Sequence, residues 1–573
     1  MRSNARRMSA LASAALIGAT LSACSSDSPT EPTPQPPVAP TGVTAASTGT
    51  SSIRVVWNQV SGAASYELDR AEGSGAAANI QTGLTATFFE DTGLEASTQY
   101  KYVVRAVNSD GTSPNSSEAS AVTGTPPPPA LKVATVTGVP LSRTFYSDTT
   151  YILQGYVKVS NGSTLTIQPG TKIVGDTLVP GSSLWVLRGS RIMAEGTATE
   201  PIVFTSQRSA GNRAPGDWGG IVLVGNGLIN RTANPIFTEG PTGAAENYAG
   251  GTDFNDDSGS LKYVRVEFAG YDVSNGGGQE LNSISNYAVG RGTTLDYVEV
   301  MAGLDDGIES FGGAGDYRHL VSFETGDDHF DFTEGFQGRA QFLIALQTSV
   351  LTPRPGTGTV SSDPRGFEGD GCENDKAGCT YANTPYSMPV WANFTVVGPG
   401  DGVFSTTDGN GAVVRRGAAA NFVNGIIARW PGVGFSIRDD ETKALMDADS
   451  LWIRNVVLAE NGANFEAPKA GRFGDVVGDS ATAWNVTESA LADLFDGALP
   501  TAATAVTAAN LNILLKSGAP AASGGMSSFG GTPLAARVTN FFGGDMPATS
   551  YIGAADPAAS TQWYEGWTNW ARN

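Results

Sequence analysis

Apolar and polar residues alternate over short stretches along most of this chain, and the length of those stretches changes at two points. In residues 53–57, 66–70 and 100–108 the period is two, with Gly, Ser and Asn turns between, which predicts half-buried strands of a sandwich. From about Val133 the runs shorten and glycine-rich corners crowd between them, as in 164–173, 184–187, 191–197 and 201–206. Runs this short cannot form a sheet alone. Stacked as successive turns of a solenoid, each buries its apolar face on the next. After about Val477 the repeat fades. Residues 488–495 and 502–515 have helical composition, with Leu491, Leu494 and Phe495 at helical spacing. An open solenoid end exposes core and unpaired strand edges, so this region is expected to be a partly helical cap.

Internal repetition supports the solenoid. Leu261, Tyr263, Val264 and Val266 recur as Leu295, Tyr297, Val298 and Val300. Segments following Gly292, Gly315 and Gly338 align at a constant step of 23 residues, which brings Val298, Val321 and Ile344 together, and likewise Tyr297, Leu320 and Leu343. That aliphatic ladder is read as core.

Trp57, Tyr66, the Leu94 and Tyr100 pair before a strand, and the closing turn 108–111 resemble a fibronectin type III domain. The order of the later runs, with Asp217, Trp218 and Gly219 after them, resembles the right-handed parallel β-helix of pectin-lyase-like proteins on bacterial surfaces. The expected class is all-β. The expected division is a signal peptide over 1–23, a Pro/Ser/Thr-rich tether over 24–39, the sandwich over 40–125, a proline-rich linker over 126–132, the β-helix over 133–477 and the cap region over 478–573.

Composition agrees: 573 residues exceed one ordinary core, and 72 Gly with 16% charged residues suit tightly turning β-structure. Arg2, Arg6 and Arg7 precede an apolar stretch too short to span a bilayer, and Leu21, Ser22, Ala23 and Cys24 close it in a way that resembles a bacterial lipobox. That resemblance implies lipidation at Cys24 and a membrane partner reached through acyl chains. Ser25 after the cysteine resembles the sorting signal for the outer membrane. The net charge of −21 becomes −24 once those three arginines leave with the leader, a surface that disfavours nucleic acid and admits cations and glycans. Cys372 and Cys379 remain, and in an exported chain with no further cysteine or histidine beside them they are read as a short disulfide.

The acids of two coils repeat with a step of 22 residues, so that Asp305, Asp306 and Glu309 lie over Asp327, Asp328 and Asp331. Parallel coils sit about 4.8 Å apart, and carboxylates so close repel unless a cation bridges them or one holds a proton. Three readings stay open: a calcium site, a catalytic carboxylate set, and solvated turns. The Gly-His-Gly and Arg-x-Lys signatures of pectin hydrolases are missing, and nothing ties Arg318, Arg339 or Arg365 to the acids. Trp563, Trp567 and Trp570 are read either as part of the cap or as a platform for sugar rings. Two functional classes follow. One is a surface module binding a glycan or another surface partner. The other is a lyase or hydrolase cleaving acidic polysaccharide at the stacked acids. No organic cofactor is expected, and calcium is the one ion implied.

Overall fold

The computed structural model describes residues 35–125, 132–138, 142–241, 243–404 and 409–572. Cys24, the signal peptide and most of the tether and linker lie outside the described residues, so the structure does not bear on the lipid anchor. Two compact units result, 1–129 and 130–573. None of the helices among the described residues is long and apolar enough to cross a membrane.

The first unit is the expected sandwich. One sheet pairs Thr44–Ser47, Ser52–Val56 and Phe88–Thr92, and the other is built around Ser65–Glu72 and Gln99–Asn108, all antiparallel. Alternation places Ile53, Val55, Tyr66, Leu68, Tyr102 and Val104 between the sheets, with Trp57 edge-on to Tyr66 at 5.4 Å. The Tyr100 hydroxyl accepts from the Glu95 amide at 3.0 Å, tying the preceding loop to the strand.

The second unit is a parallel β-helix. Its strands pair in parallel from Lys132–Thr137 to Val486–Ser489, a little past the expected end at 477. Each coil has three straight sides. In the early coils two sides are separate strands, such as Thr164–Ile167 and Lys172–Gly175. From Gly259–Glu267 onward these two fuse into one long bent strand, repeated in Thr294–Met301, Asp316–Phe323, Arg339–Leu346, Val390–Val397, Asn421–Ala428 and Trp452–Ala459. The third side is a stack of ten short strands running from Tyr156–Val159 to Ala463–Phe465, with Ile308–Phe311, Phe330–Thr333 and Phe367–Asp370 near its middle.

The bend within each long strand is one left-handed residue. Tyr263, Tyr297, His319, Phe342, Asn393, Asn424 and Asn455 occupy this column with φ between +48° and +62°. Left-handed backbone is costly for residues other than Gly and Asn, and the column offsets the cost in two ways. In its first half the rings stack, at 4.3 Å for Tyr263 on Tyr297, 4.2 Å for Tyr297 on His319 and 5.1 Å for His319 on Phe342. In its second half asparagine, tolerant of this conformation, hydrogen-bonds outward.

This column also corrects the register read from sequence. Val298 pairs with Leu320, which pairs with Leu343, while Val321 and Ile344 fall in the Glu299 column. The first step is therefore 22 residues and only the second is 23. A uniform step of 23 hid the difference because aliphatic residues flank the bend on both sides.

The C-terminal region provides the expected partly helical cap only in its first part. The end of the solenoid is closed by Asp440–Asp447 and Gly474–Trp484, whose Met446, Val477 and Trp484 pack on the inner core. Beyond Ser489 the chain does not cap the end. It runs back as a strap along the outer face of the long strands, covering Phe323, Ile344, Leu346, Val397, Ile426 and Val457. Most of it is irregular: 502–515 contains only the short turn Ala508–Asn510 in place of a helix, and 488–495 contains the four-residue helix Leu491–Leu494. Apolar spacing there reflects docking on a grooved sheet and not a helical face.

Candidate functional site

The third side of the coil positions the predicted acids. In Ile308–Phe311 the pleat turns Ile308 inward and Glu309 outward, and register stacks Ser285, Glu309, Asp331, Glu368 and Val413 in one outward column. Just before these strands, at the corner of each coil, stand Asn282, Asp306, Asp328 and Arg365. The Asp306 amide donates to Asn282 Oδ1 at 3.2 Å, the Asp328 amide to Asp306 Oδ1 at 2.8 Å, and the Arg365 amide to Asp328 Oδ1 at 2.6 Å. Each corner side chain thus caps the next coil. This explains why Asp and Asn recur there, and it holds one oxygen of each aspartate in place.

All six predicted acids converge on one groove of about 300 Å³, together with residues that sequence reasoning missed: Glu239, Glu280, Glu368, Asp370, Glu373, Lys376, Arg415 and Arg416. One oxygen each of Asp305, Asp306 and Asp327 lie within 4.8 Å of one another, as do those of Asp306, Glu309 and Asp331.

The groove has two electrostatically different halves. Toward the later coils, Arg365 Nη1 reaches Asp328 at 3.2 Å and Glu368 at 2.7 Å. Arg415 reaches Glu368 and Asp370, each at 2.8 Å, Arg416 pairs with Asp370 and Glu373, and Lys376 sits 3.3 Å from Glu373. Toward the earlier coils, Glu239, Glu280, Asp305, Asp306, Glu309, Asp327 and Asp331 line the groove with no ion pair among the described residues. Burial first, and then mutual repulsion, pushes Asp305, Asp306, Glu309 and Asp331 well above the usual carboxylate range. The same causes push Asp327 and Asp328 up to about 7, and Glu239 and Glu368 to about 8.

Carboxylates so placed need protons or a cation. Asp327 Oδ1 and Asp331 Oδ1 are buried without a hydrogen-bond partner among the described residues. Hard oxygen donors, several within reach of one point and two of them unsatisfied, fit calcium, which takes six to eight oxygens, better than zinc, which prefers nitrogen and sulfur. Asp305, Asp306, Glu309, Asp327 and Asp331 are the residues that would hold it. Asp328, committed to Arg365, is the exception among the six.

Comparison with known proteins agrees with this architecture. The family described as "Pectate-lyase like beta helix domain" matches residues 139–497, more than half of the chain. This chain belongs to the pectate-lyase-like β-helix family. A fibronectin type III domain matches residues 38–122. A poly(3-hydroxybutyrate) depolymerase of Delftia acidovorans is 43% identical over 82 residues, which cover 14% of this chain and 16% of that protein. Among solved structures, an Fn3-like protein from Clostridium thermocellum is 34% identical, covering 16% of this chain and 97% of its own, with a TM-score of 0.15. The structure of FN3tt is 26% identical over 15% of this chain and 95% of its own, with a TM-score of 0.14.

In this pectate-lyase-like β-helix the disulfide Cys372–Cys379 is present, with Cα atoms 5.0 Å apart. It closes the loop carrying Lys376 into the groove. The Gly378 carbonyl, beside Cys379, accepts from the Thr232 amide at 3.1 Å, so the loop is wedged against the neighbouring loop 226–252.

The aromatic platform is corrected. Trp567 and Trp570 are buried and Trp563 is half-buried against the same cluster. The indole of Trp567 meets Tyr263 and Tyr297 edge-on at 5.8 and 6.0 Å, and the Trp563 and Trp567 N–H groups donate to backbone carbonyls at 2.9 Å. These rings fasten the strap to the ring column, and burial leaves Trp567 and Trp570 no face for a sugar. Of the arginines weighed as bases, only Arg365 touches the groove's acids, pairing with Asp328 and Glu368 without itself lining the groove. Arg318 and Arg339 pair with Asp296 and Asp316 on another side of the coil. His329 is buried inside the solenoid, where burial pushes it down to about 3, and its Nδ1 and Ser322 Oγ are hydrogen-bonded at 2.7 Å.

Proposed function

We propose that the β-helix is a calcium-dependent receptor for acidic polysaccharide, carried by a lipid-anchored surface protein with the fibronectin type III module as spacer. The observation that carries this reading is the division of one groove into unpaired carboxylates and an arginine wall. A cation held by Asp305, Asp306, Glu309, Asp327 and Asp331 supplies positive charge beside Arg365, Arg415, Arg416 and Lys376. A uronate carboxylate satisfies both at once. The family's pectate-lyase-like character and the local likeness to a polymer-degrading enzyme support a polymeric ligand.

Binding is favoured over β-elimination because the wall contains no free base. Burial works against the charge on Arg365, yet Asp328, Glu368, Asp327 and Asp363 together hold it above the usual arginine range, and Arg415 is held likewise by Asp370 and Glu368. Lys376 is also raised, against burial, by Glu373 and more distant acids. A group that keeps its proton cannot abstract another. The test is titration calorimetry of polygalacturonate against the protein with calcium and with chelator. Binding that requires calcium, and that falls at least tenfold in Asp305→Asn/Asp306→Asn, is expected; equal binding in chelator overturns the reading.

A second reading rests on Asp327 and Asp328, which titrate near neutrality and could act as general acid and base in hydrolysis. Calcium bound at Asp327 would hold that residue ionised and suppress that chemistry. Chain shortening that is fastest in chelator supports hydrolysis, and intact polymer under both conditions removes it.

The anchor at Cys24 and an outer-membrane location belong to the same proposal. Acyl chains carry all the membrane affinity, so Cys24→Ser is expected to leave the membrane fraction; undiminished attachment refutes the anchor.

A further inference from the structure

A second cleft, of about 450 Å³, opens on a different side of the coil. Its floor is the turns that precede the long strands, contributing Asn255, Arg291, Gly292, Thr294 and Asp316, and its rim is the strap, contributing Asn540, Phe542 and Gly543. Two arginines, Arg339 and Arg291, act on the Asp316 carboxylate here, with Arg537 close behind them. Asp316 is engaged by Arg339, whose Nε donates to it at 2.8 Å, and Arg339 also donates to the carbonyls of Arg537, Thr539 and Asn540. Arg537 Nη1 is buried without a hydrogen-bond partner among the described residues. The exposed Arg291 side chain makes no hydrogen bond or ion pair among the described residues, while its amide donates to the Phe254 carbonyl at 2.7 Å. Partial desolvation, together with repulsion from Arg339, holds Arg291 below the usual arginine range despite Asp316. Positive charge is therefore left uncompensated in a chain whose net charge is −21.

The rim adds a second, independent feature. Asn540, Phe542 and Gly543 all have positive φ, at 55°, 50° and 79°. A bulky residue with left-handed backbone is strained, and such strain persists only where the surroundings hold it. Here it keeps the Phe542 ring at the cleft, where Arg318 stacks on it at 4.3 Å and the Phe541 ring meets it edge-on at 4.8 Å. An unpartnered guanidinium, amide side chains on Asn255 and Asn540, and an aromatic ring around one cleft suit a sugar ring bearing a single negative group. The guanidinium takes the anion in bidentate fashion, the amides take hydroxyls and the ring takes the apolar sugar face.

We propose that this cleft is a calcium-independent subsite for an anionic sugar unit, with Arg291 as anion receptor and Phe542 as stacking platform. It lies apart from the acidic groove and needs no cation, so it stands or falls separately.

The test uses trigalacturonate, its neutral methyl ester and inorganic sulfate, titrated in chelator into the mature protein and into Arg291→Gln and Phe542→Ala. Trigalacturonate should bind the parent, the ester should not, and Arg291→Gln should weaken binding at least tenfold with no change in melting temperature, since this side chain holds nothing in the fold. Phe542→Ala should weaken trigalacturonate but leave sulfate unaffected. Unchanged affinity in Arg291→Gln, equal binding of the ester, or no binding of any anion overturns the subsite; sulfate binding as tightly as the sugar overturns the role of Phe542. Retention of this binding in Asp305→Asn/Asp306→Asn separates it from the groove.

Discussion

Asp306 serves two purposes that pull in opposite directions. One oxygen caps the Asp328 amide of the next coil, while its charge sits among carboxylates that repel it. For Asp327 and Asp328, raised to about 7, the folded state binds protons more tightly than the unfolded chain. Their contribution is fully present below the unfolded value of about 4 and is lost as pH rises through about 7. In chelator, the melting temperature of the β-helix unit is therefore expected to fall between pH 5 and pH 8. Calcium replaces the lost protons and restores it. At a hundredfold excess over its dissociation constant it adds about 2.7 kcal/mol. Calorimetry across that pH range checks this. A flat profile identical with and without calcium would show that the carboxylates are solvated and splayed apart.

At the scale of single elements, the bent strands depend on the left-handed column. Asn424 holds φ at +54°, its Oδ1 accepts from the Met526 amide at 2.7 Å, and its Nδ2 donates to Thr549 Oγ1 at 3.1 Å. Asn424→Ala should cost about 2–5 kcal/mol, from left-handed backbone at about 1–2 and from unpaired strap groups at about 1–3. Asn424→Gly should cost less, because only the hydrogen bonds are lost. Denaturant unfolding of the two variants tests this, and equal losses would refute the backbone contribution. This column also marks what sequence could and could not reveal. The 22-residue step of the acids was legible because Glu309 and Asp331 keep it between their coils, whereas the aliphatic ladder was recognised but placed one residue out at its first step. The arginine wall was not legible, because a long loop lengthens the next coil: Arg365 lies 37 residues from its stacked partner Asp328, and Arg415 lies 45 from Asp370. Glu239 and Glu280 come from outside the regular third-side strands altogether. The strap was misread because its apolar residues match a grooved sheet, for which no simple period exists.

For the whole molecule, the strap determines whether the solenoid is a soluble body. Outward residues Phe323, Ile344, Leu346, Val397, Ile426 and Val457 form a continuous apolar face beneath it. Ending the chain after Ser489 should leave the coils paired but expose this face, with dye binding and self-association as the expected result. A truncated chain that stays monomeric by light scattering would show that the strap is dispensable.

The strap also separates two clocks in the molecule's assembly. Coils add by contacts tens of residues apart, from 22 between Ile308 and Phe330 to 67 between Ile192 and Gly259, and can accumulate one after another as chain becomes available. Asn569, by contrast, donates to Glu267 across 302 residues of sequence. That contact has no partner to meet until every coil between them is in place. Growth is thus local and incremental, and locking is a single late event that reads out completion of the entire stack. A solenoid interrupted midway would carry the start of the apolar face and nothing with which to close it.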